Sequence, residues 1–392
     1  MISIIDNKST NQSPNSLLNK FDESIAAKAR TFHSTFPYYK PTPLVELHGL
    51  ANLLGVKNIW LKDESYRFDL NAFKVLGASY AIADILHEKL NLHNSELSFA
   101  LFKDESIRRK IKNETLITAT DGNHGRGVAW TARQLGCNCV VYMPKGTTLS
   151  RYQNIKLLRA EVILVDGNYD AASERARSEA EKNKWLLVQD SSWDGYEKIP
   201  LLIMQGYLTI MNEVFDQLKD EEPTHVFVQC GVGSLPAAVL AYLKNRFGTA
   251  APLFSVVEPE NSACVYESFV SGDGNIRSVK NEANTIMAGL AFQTPSKLAW
   301  EIMRDHADYF IKCEDSITID GMKILGRRQF GDDRIISGES GAVTLGLIFN
   351  LLSDSSNNKF AEQLHLNSES KIFLISTEGD TDPEMYQKIL SQ

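Results

Sequence analysis

"ETLITATDGNHGRGVAWTARQLG", Glu114 to Gly136, is the stretch on which the fold turns. Its first seven residues, "ETLITAT", read as a strand. "RGVAWTARQLG" has helical spacing, with Gly136 placed to cap the C-terminus. Between them Gly122, Gly125 and Gly127 free the backbone to turn and to present N–H groups towards the helix N-terminus. Such a turn favours an anion, phosphate or carboxylate. Taken alone, "DGNHG" also fits an ordinary Asp-Gly turn.

The same unit recurs outward in both directions. Upstream, "NIWLKDES" is strand-like, and "VLGASYAIADILHEKL" places Val75, Ala78, Ile82, Ile85 and Leu86 at helical spacing. Downstream, "CNCVVYMP", "EVILVDG" and "WLLVQD" read as strands. They alternate with helices in "TLSRYQNIKLLRA", starting near Thr148 or Ser150, and in "DAASERARSEAEKN". A long helix follows in "IPLLIMQGYLTIMNEVFDQL". Then come strand "HVFVQCG", helix "SLPAAVLAYLKNRFG", strand "PLFSVVEP", helix "GAVTLGLIFNLLS" and strand "KIFLISTEG". Several strands are continuous apolar runs, as parallel strands buried on both faces require. Alternation of this kind predicts an α/β fold with helices on both sheet faces. Ligands of such folds gather at the carboxyl ends of the strands.

The totals fit this reading. The 392 residues suggest about two domains, and 43% hydrophobic with 23% charged residues is a globular composition. A net charge of −8 argues against a general nucleic-acid or anionic-membrane binder. The longest apolar stretches fall short of the roughly 18 residues that a membrane span needs. The N-terminus lacks a charged start followed by an apolar core, so no signal peptide is read and a cytoplasmic location is expected. Cys137, Cys139, Cys230, Cys264 and Cys313 are scattered without zinc spacing, which predicts reduced thiols and no metal site. Residues 7–19, rich in Asn and Ser, are expected to form a mobile tail.

Chemistry-bearing residues stand where strands end. Lys74 opens a helix between Phe73 and Val75. Alone it also fits a lysine that snorkels from apolar surface. A desolvated lysine can instead act as an amine nucleophile or base, and carbonyl cofactors such as pyridoxal phosphate use one in a Schiff base. Asn123 can donate to a phenolate oxygen, and Asp121 adds a carboxylate to the same turn. In "QCGVGSLPAAV", Gly231 and Gly233 follow an apolar strand and precede a helix, an arrangement that cradles phosphate. It is neither a nucleotide P-loop nor a dinucleotide fingerprint, since Pro236 fills the final glycine position. Ser376 and Thr377 end a buried strand, where a hydroxyl can meet a ring nitrogen. "ISGESGAV" is a small-residue turn before an apolar helix.

In this order, the pieces resemble the tryptophan-synthase-like group of pyridoxal-phosphate enzymes, fold type II. Within that group "SYRFDLNAFKVLGASYA", "TATDGNHGRGVAW", "QDSSWDGYEKIPLLIMQGY", "VVEPENSACVY", "TIMAGLA" and "STEGDTDPEMY" are similar to the diaminopropionate ammonia-lyase family. The resemblance runs from about Tyr38 to Tyr386. Threonine and serine dehydratases usually carry a small residue at the Asp121 position. Three features depart from the family pattern: Asp69 and Ala78 stand where glycines are usual, and "AGLAFQTP" brings in Phe292, Gln293 and Thr294.

The resemblance implies two open, twisted, mostly parallel sheets with helices on both faces. It implies a small domain at 91–199 inserted between 37–90 and 200–392 of a large one, after a lead-in over 1–36. It implies pyridoxal phosphate on Lys74, held by Asn123, by Gly231, Val232, Gly233, Ser234 and Leu235, and by Ser376 or Thr377. It implies an amino-acid substrate bound by Thr120, Asp121, Gly122, His124 and Ser340, and a homodimer. Lys74 would be the base for the L isomer and Asp121 for the D isomer, with Asp190 attracting the β-ammonium group. The expected reaction is β-elimination of 2,3-diaminopropionate to pyruvate and ammonia. A serine or threonine dehydratase is the alternative. A nicotinamide oxidoreductase lacks its early glycine fingerprint here, and a cofactor-binding scaffold without catalysis would not need Lys74, Asp121 and Asp190 together.

Overall fold

The computed structural model describes residues 1–8, 17–92, 94–120, 122–279 and 284–392. Strands β1 (Ile2–Asp6), β2 (Leu44–Glu46), β3 (Asn58–Asp63), β4 (Thr115–Ala119), β5 (Asn138–Pro144), β6 (Glu161–Val165), β7 (Leu186–Leu187), β8 (His225–Gln229), β9 (Leu253–Pro259), β10 (Tyr309–Cys313) and β11 (Lys371–Ser376) form two sheets. The seven-stranded sheet runs β1-β10-β9-β8-β11-β3-β2, and the four-stranded sheet runs β6-β5-β4-β7. Every pairing is parallel except at the two edges of the larger sheet, where β1 and β2 run antiparallel to their neighbours. Strands β4 and β8 are buried at every position. Helices cover both faces of such a sheet and leave no polar side to alternate.

The helix that begins after Lys74, Val75–Lys89, crosses the long helix Lys198–Leu218 at two glycines. A Cβ on Gly206 would lie 2.5 Å from Leu76 O, and one on Gly77 would lie 2.8 Å from Ile203 O. The two backbones therefore approach more closely than any side chain would allow. This contact ties the lysine-bearing helix rigidly to the core of the larger sheet.

The loop between β3 and Lys74 is strained and strongly braced. Phe68, Asp69 and Asn71 all have positive φ (50°, 56° and 56°). Asp69 thus occupies a left-handed position, which explains why glycine is usual there. Left-handed non-glycine residues cost of order 1–3 kcal/mol each and need surroundings that hold them. The brace is a buried ion cluster. Glu213 accepts from Arg67 Nη1 at 2.7 Å, from Lys62 Nζ at 2.8 Å and from Tyr39 Oη at 2.7 Å. Glu64 takes Arg67 Nη2 at 2.8 Å. Two cations balance two anions, and all four side chains are within 1% of full burial.

Several features differ from the sequence reading. Residues 2–6 form an edge strand, and Asn7 is buried with its Nδ2 donating to Arg304 O and Ala307 O. The chain is thus anchored at the start of the expected tail, while residues 9–16 lie outside the described residues. Strand β10 is absent from the sequence reading, because its five-residue run is short and carries Lys312. The run "WLLVQD" pairs in the ladder only at Leu186–Leu187. Beyond it the Gln189 amide replaces the backbone, with Oε1 accepting from Ala119 N at 3.1 Å and from Thr118 Oγ1 at 2.9 Å. The side chain satisfies β4, so the main chain can peel away and carry Asp190 inwards.

Burial alone would raise the Glu213 carboxyl, but Arg67 and Lys62 outweigh it and hold it down to about 2. A depressed carboxylate stabilises the fold above its unfolded value and loses that contribution as pH falls through the folded one. Glu213→Ala, which strands the buried Lys62 ammonium and leaves Arg67 with Glu64 alone, should cost about 3–5 kcal/mol at pH 7 by urea unfolding. The difference from the parent should shrink progressively below about pH 4.

Candidate active site

The carboxyl ends of five strands converge on one cavity. Strand β4 delivers Thr120 and the glycine turn, β7 delivers Asp190, and β8 delivers Gln229 and the Gly231–Leu235 turn. Strand β11 delivers Thr377 and Glu378, and the braced loop after β3 delivers Lys74; all of these residues line the cavity. Each strand end has no following ladder partner, so its polar groups and side chains are free to face a ligand.

Lys74 Nζ lies 2.6 Å from Asp190 Oδ2, with the two side chains 14% and 2% exposed. Burial would push the Asp190 carboxyl up, but the Lys74 ammonium overrides it and holds the group down to about 2. The Phe73 ring lies 5.6 Å from the same ammonium. Ser234 Oγ donates to Asp190 O at 2.7 Å, which fixes the acid to the phosphate-type turn.

Two helix N-termini open into the cavity. Helix Ser234–Phe247 starts at Gly233, and helix Asn123–Leu135 starts at Gly122; neither has a side-chain cap. Their first N–H groups therefore have no intrahelical partner and are suited to an anion. At the first turn, Gly231 has no room for a Cβ, which would lie 2.7 Å from the Phe292 ring, and Gly233 has φ +99°. In the second, Thr120 Oγ1 accepts from Gly122 N at 2.9 Å and from Gly125 N at 3.1 Å, shaping the turn.

The two hydroxyls at the end of β11 part company. Ser376 Oγ is buried in a bond to Ser337 Oγ at 2.7 Å and does not line the cavity. Thr377 Oγ1 accepts from Gln229 Nε2 at 3.0 Å, which leaves its own proton available to the cavity. Gln229 Nε2 also lies 2.9 Å from Ile375 O and 3.1 Å from Ser340 O, so its orientation is set by carbonyls.

Thr120, Gly122, Asn123, His124, Ser340 and the Gly231–Leu235 turn all line this cavity, while Asp121 lies outside the described residues. Sequence reading missed Gln229, Glu378, Arg151 and the Tyr169–Phe292 wall. Glu378 accepts from Asn123 Nδ2, Ser340 N and Thr381 Oγ1, joining the glycine turn to the far side of the cavity. Phe292, one of the divergent residues, meets Tyr169 edge-on at 4.9 Å. Gln229 had a signal, a polar residue closing an apolar strand. The aromatic wall had none, since its two rings come from distant segments.

The sequence between residues 35 and 372 matches the family model described as pyridoxal-phosphate dependent enzyme. Over 391 residues the chain is 46% identical to the diaminopropionate ammonia-lyase of Escherichia coli (strain K12), covering 99% of this chain and 96% of that protein. The diaminopropionate ammonia-lyase of Salmonella typhimurium is 44% identical over 377 residues, covering 95% and 93%. The crystal structure of the Escherichia coli enzyme with an aminoacrylate-PLP azomethine reaction intermediate matches with a TM-score of 0.91 at 45% identity, covering 100% of this chain and 97% of that one. A threonine deaminase from Solanum lycopersicum, at 21% identity and a TM-score of 0.72, shares the fold.

The uncapped helix, the glycine cradle and the lysine beside it fit pyridoxal phosphate. Gly233→Ala places a methyl group 2.5 Å from Met303 Cε at a left-handed position. It should weaken pyridoxal-phosphate binding about 5- to 100-fold, measured by titrating the visible absorbance of bound cofactor. Unchanged affinity would remove the turn from the phosphate site.

Proposed function

Because this chain belongs to the pyridoxal-phosphate-dependent enzymes, and among them to the diaminopropionate ammonia-lyases, we propose that it eliminates ammonia from 2,3-diaminopropionate. The β-amine is lost in the elimination, and hydrolysis of what remains gives pyruvate and a second ammonia. Pyridoxal phosphate, when bound, supplies the electron sink for the α-carbon. The observation that carries the reading is the Lys74–Asp190 pair, buried at 2.6 Å between two uncapped helix N-termini.

Lys74 holds the cofactor through its Nζ and, once released, takes the α-proton of the L isomer. Asp121 takes that of the D isomer. A base so placed contributes about 10²–10⁴-fold. The Gly231–Leu235 backbone amides receive the phosphate, Asn123 donates to the phenolate oxygen, and Thr377 offers its proton to the ring nitrogen. Thr377 is neutral, so it does not hold that nitrogen protonated as an aspartate would. This favours prompt loss of the β-substituent over transamination. Thr120, Gly122, His124 and Ser340 line the substrate side. Residues 91–199 act as a small domain that closes on the substrate and expels water. The enzyme works in the cytoplasm as a homodimer. Among the described residues no helix is long and apolar enough to cross a membrane.

Ammonia and keto-acid release from both diaminopropionate isomers, compared with release from serine and threonine, tests the reading. Preference for serine or threonine would replace it with the dehydratase alternative. Lys74→Ala should abolish turnover and the visible absorbance of bound cofactor together. Asp121→Asn should lose D-isomer turnover far more than L-isomer turnover, and equal loss would refute the two-base assignment.

A further inference from the structure

His124 sits beside the Lys74–Asp190 pair and is 5% exposed. Its Nε2 lies 2.8 Å from Val188 O. A carbonyl can only accept, so Nε2 carries the proton. In a neutral ring Nδ1 is then a bare acceptor. Among the described residues that Nδ1 is buried without a hydrogen-bond partner. It stands 3.8 Å from Asp190 Oδ2, too far for a hydrogen bond. Two acceptors therefore face the same corner of the cavity. Only one is satisfied, by the Lys74 ammonium at Asp190. An orphaned acceptor in a buried polar site costs about 1–3 kcal/mol unless a ligand meets it. The missing partner of Nδ1 is a donor; a single group that meets both Nδ1 and Asp190 Oδ2 needs at least two protons to give, and an alkylammonium group has three.

We propose that His124 Nδ1 and Asp190 Oδ2 form a two-acceptor seat for the β-ammonium group of the substrate, making His124 a determinant of diamine specificity. This rests on the elimination reading above. Lys74 leaves the corner when its Nζ is engaged by the cofactor and, once released, turns to the α-proton, so the substrate ammonium takes its place beside Asp190. In the elimination the C–N bond breaks with its electron pair on nitrogen, so an ammonium departs as neutral ammonia with no further proton needed. The seat must then hold the group without deprotonating it. Both acceptors suit that task as weak bases. Burial, followed by the Lys74 charge, lowers His124 below the ordinary imidazole value, with Asp190 opposing. A β-hydroxyl makes the opposite demand. Its departure as water needs an added proton, and this corner offers acceptors rather than a donor.

Two substitutions separate the seat from mere packing. His124→Gln can still donate to Val188 O from its terminal amide but has no acceptor at the δ position. His124→Asn keeps an oxygen there and loses the Val188 contact. We expect His124→Gln to lower kcat/KM for diaminopropionate about 10- to 100-fold, a larger factor than its loss on serine, while leaving the cofactor spectrum intact. His124→Asn should recover most of the diamine preference. Equal losses on both substrates, or no rescue by asparagine, would overturn the proposal. The imidazole ¹⁵N shifts of His124 in the holoenzyme give an independent readout. They should report an unprotonated Nδ1 at neutral pH, and a protonated Nδ1 would also overturn it. Failure of the parent enzyme to turn over diaminopropionate would instead sink the elimination reading itself.

Discussion

A lysine ammonium held against a buried aspartate is the constraint around which this molecule is arranged. An isolated ion in so apolar a place would cost several kcal/mol, so Lys74 and Asp190 must arrive together. They come from different sheets and from strand ends far apart in the chain. Each is delivered by a local exception to regular structure. Lys74 follows a loop with three left-handed non-glycine residues, and Asp190 follows a strand that leaves its ladder after two residues.

Those exceptions are supported by buried polar groups rather than by apolar packing alone. The Arg67–Glu213–Lys62–Glu64 cluster fixes the loop from below, and its charges balance so that none is stranded. The Gln189 amide stands in for the backbone beside β4. Gln229 does related work under Thr377 and Ser340. Polar side chains at the ends of parallel strands thus serve two purposes. They satisfy backbone groups that the sheet leaves open, and they aim the next residue at the ligand.

The cavity is correspondingly divided. Two helix N-termini supply partial positive charge, with only Thr120 Oγ1 drawing on the first turn of one of them among the described residues. Beside them in the same cavity lie the carboxylates of Asp190 and Glu378 and the bare nitrogen of His124. An anionic cofactor and a substrate with two amines are complementary to those two kinds of group. The Phe292–Tyr169 wall closes one flank with apolar surface.

The alternation of strand, glycine turn and helix, together with the apolar character of the strands, was enough by itself to determine the α/β class. The ordered motifs singled out the lysine, the two glycine turns and the strand-end hydroxyls, of which the structure gathers all but Ser376 at one cavity. These properties are local: a turn needs its glycines, and a buried parallel strand needs its continuous apolar run. Tertiary structure alone decided which hydroxyl faces the cavity, why Asp69 can stand in for glycine, and that residues 2–6 close a sheet edge. It also joined Glu378 and Gln229 through Ser340 and set His124 beside the Lys74–Asp190 pair. Each of those outcomes depends on which distant atom lies within about 3 Å. Sequence spacing carries no record of that distance, because the chain returns to the site through separate strands of two sheets.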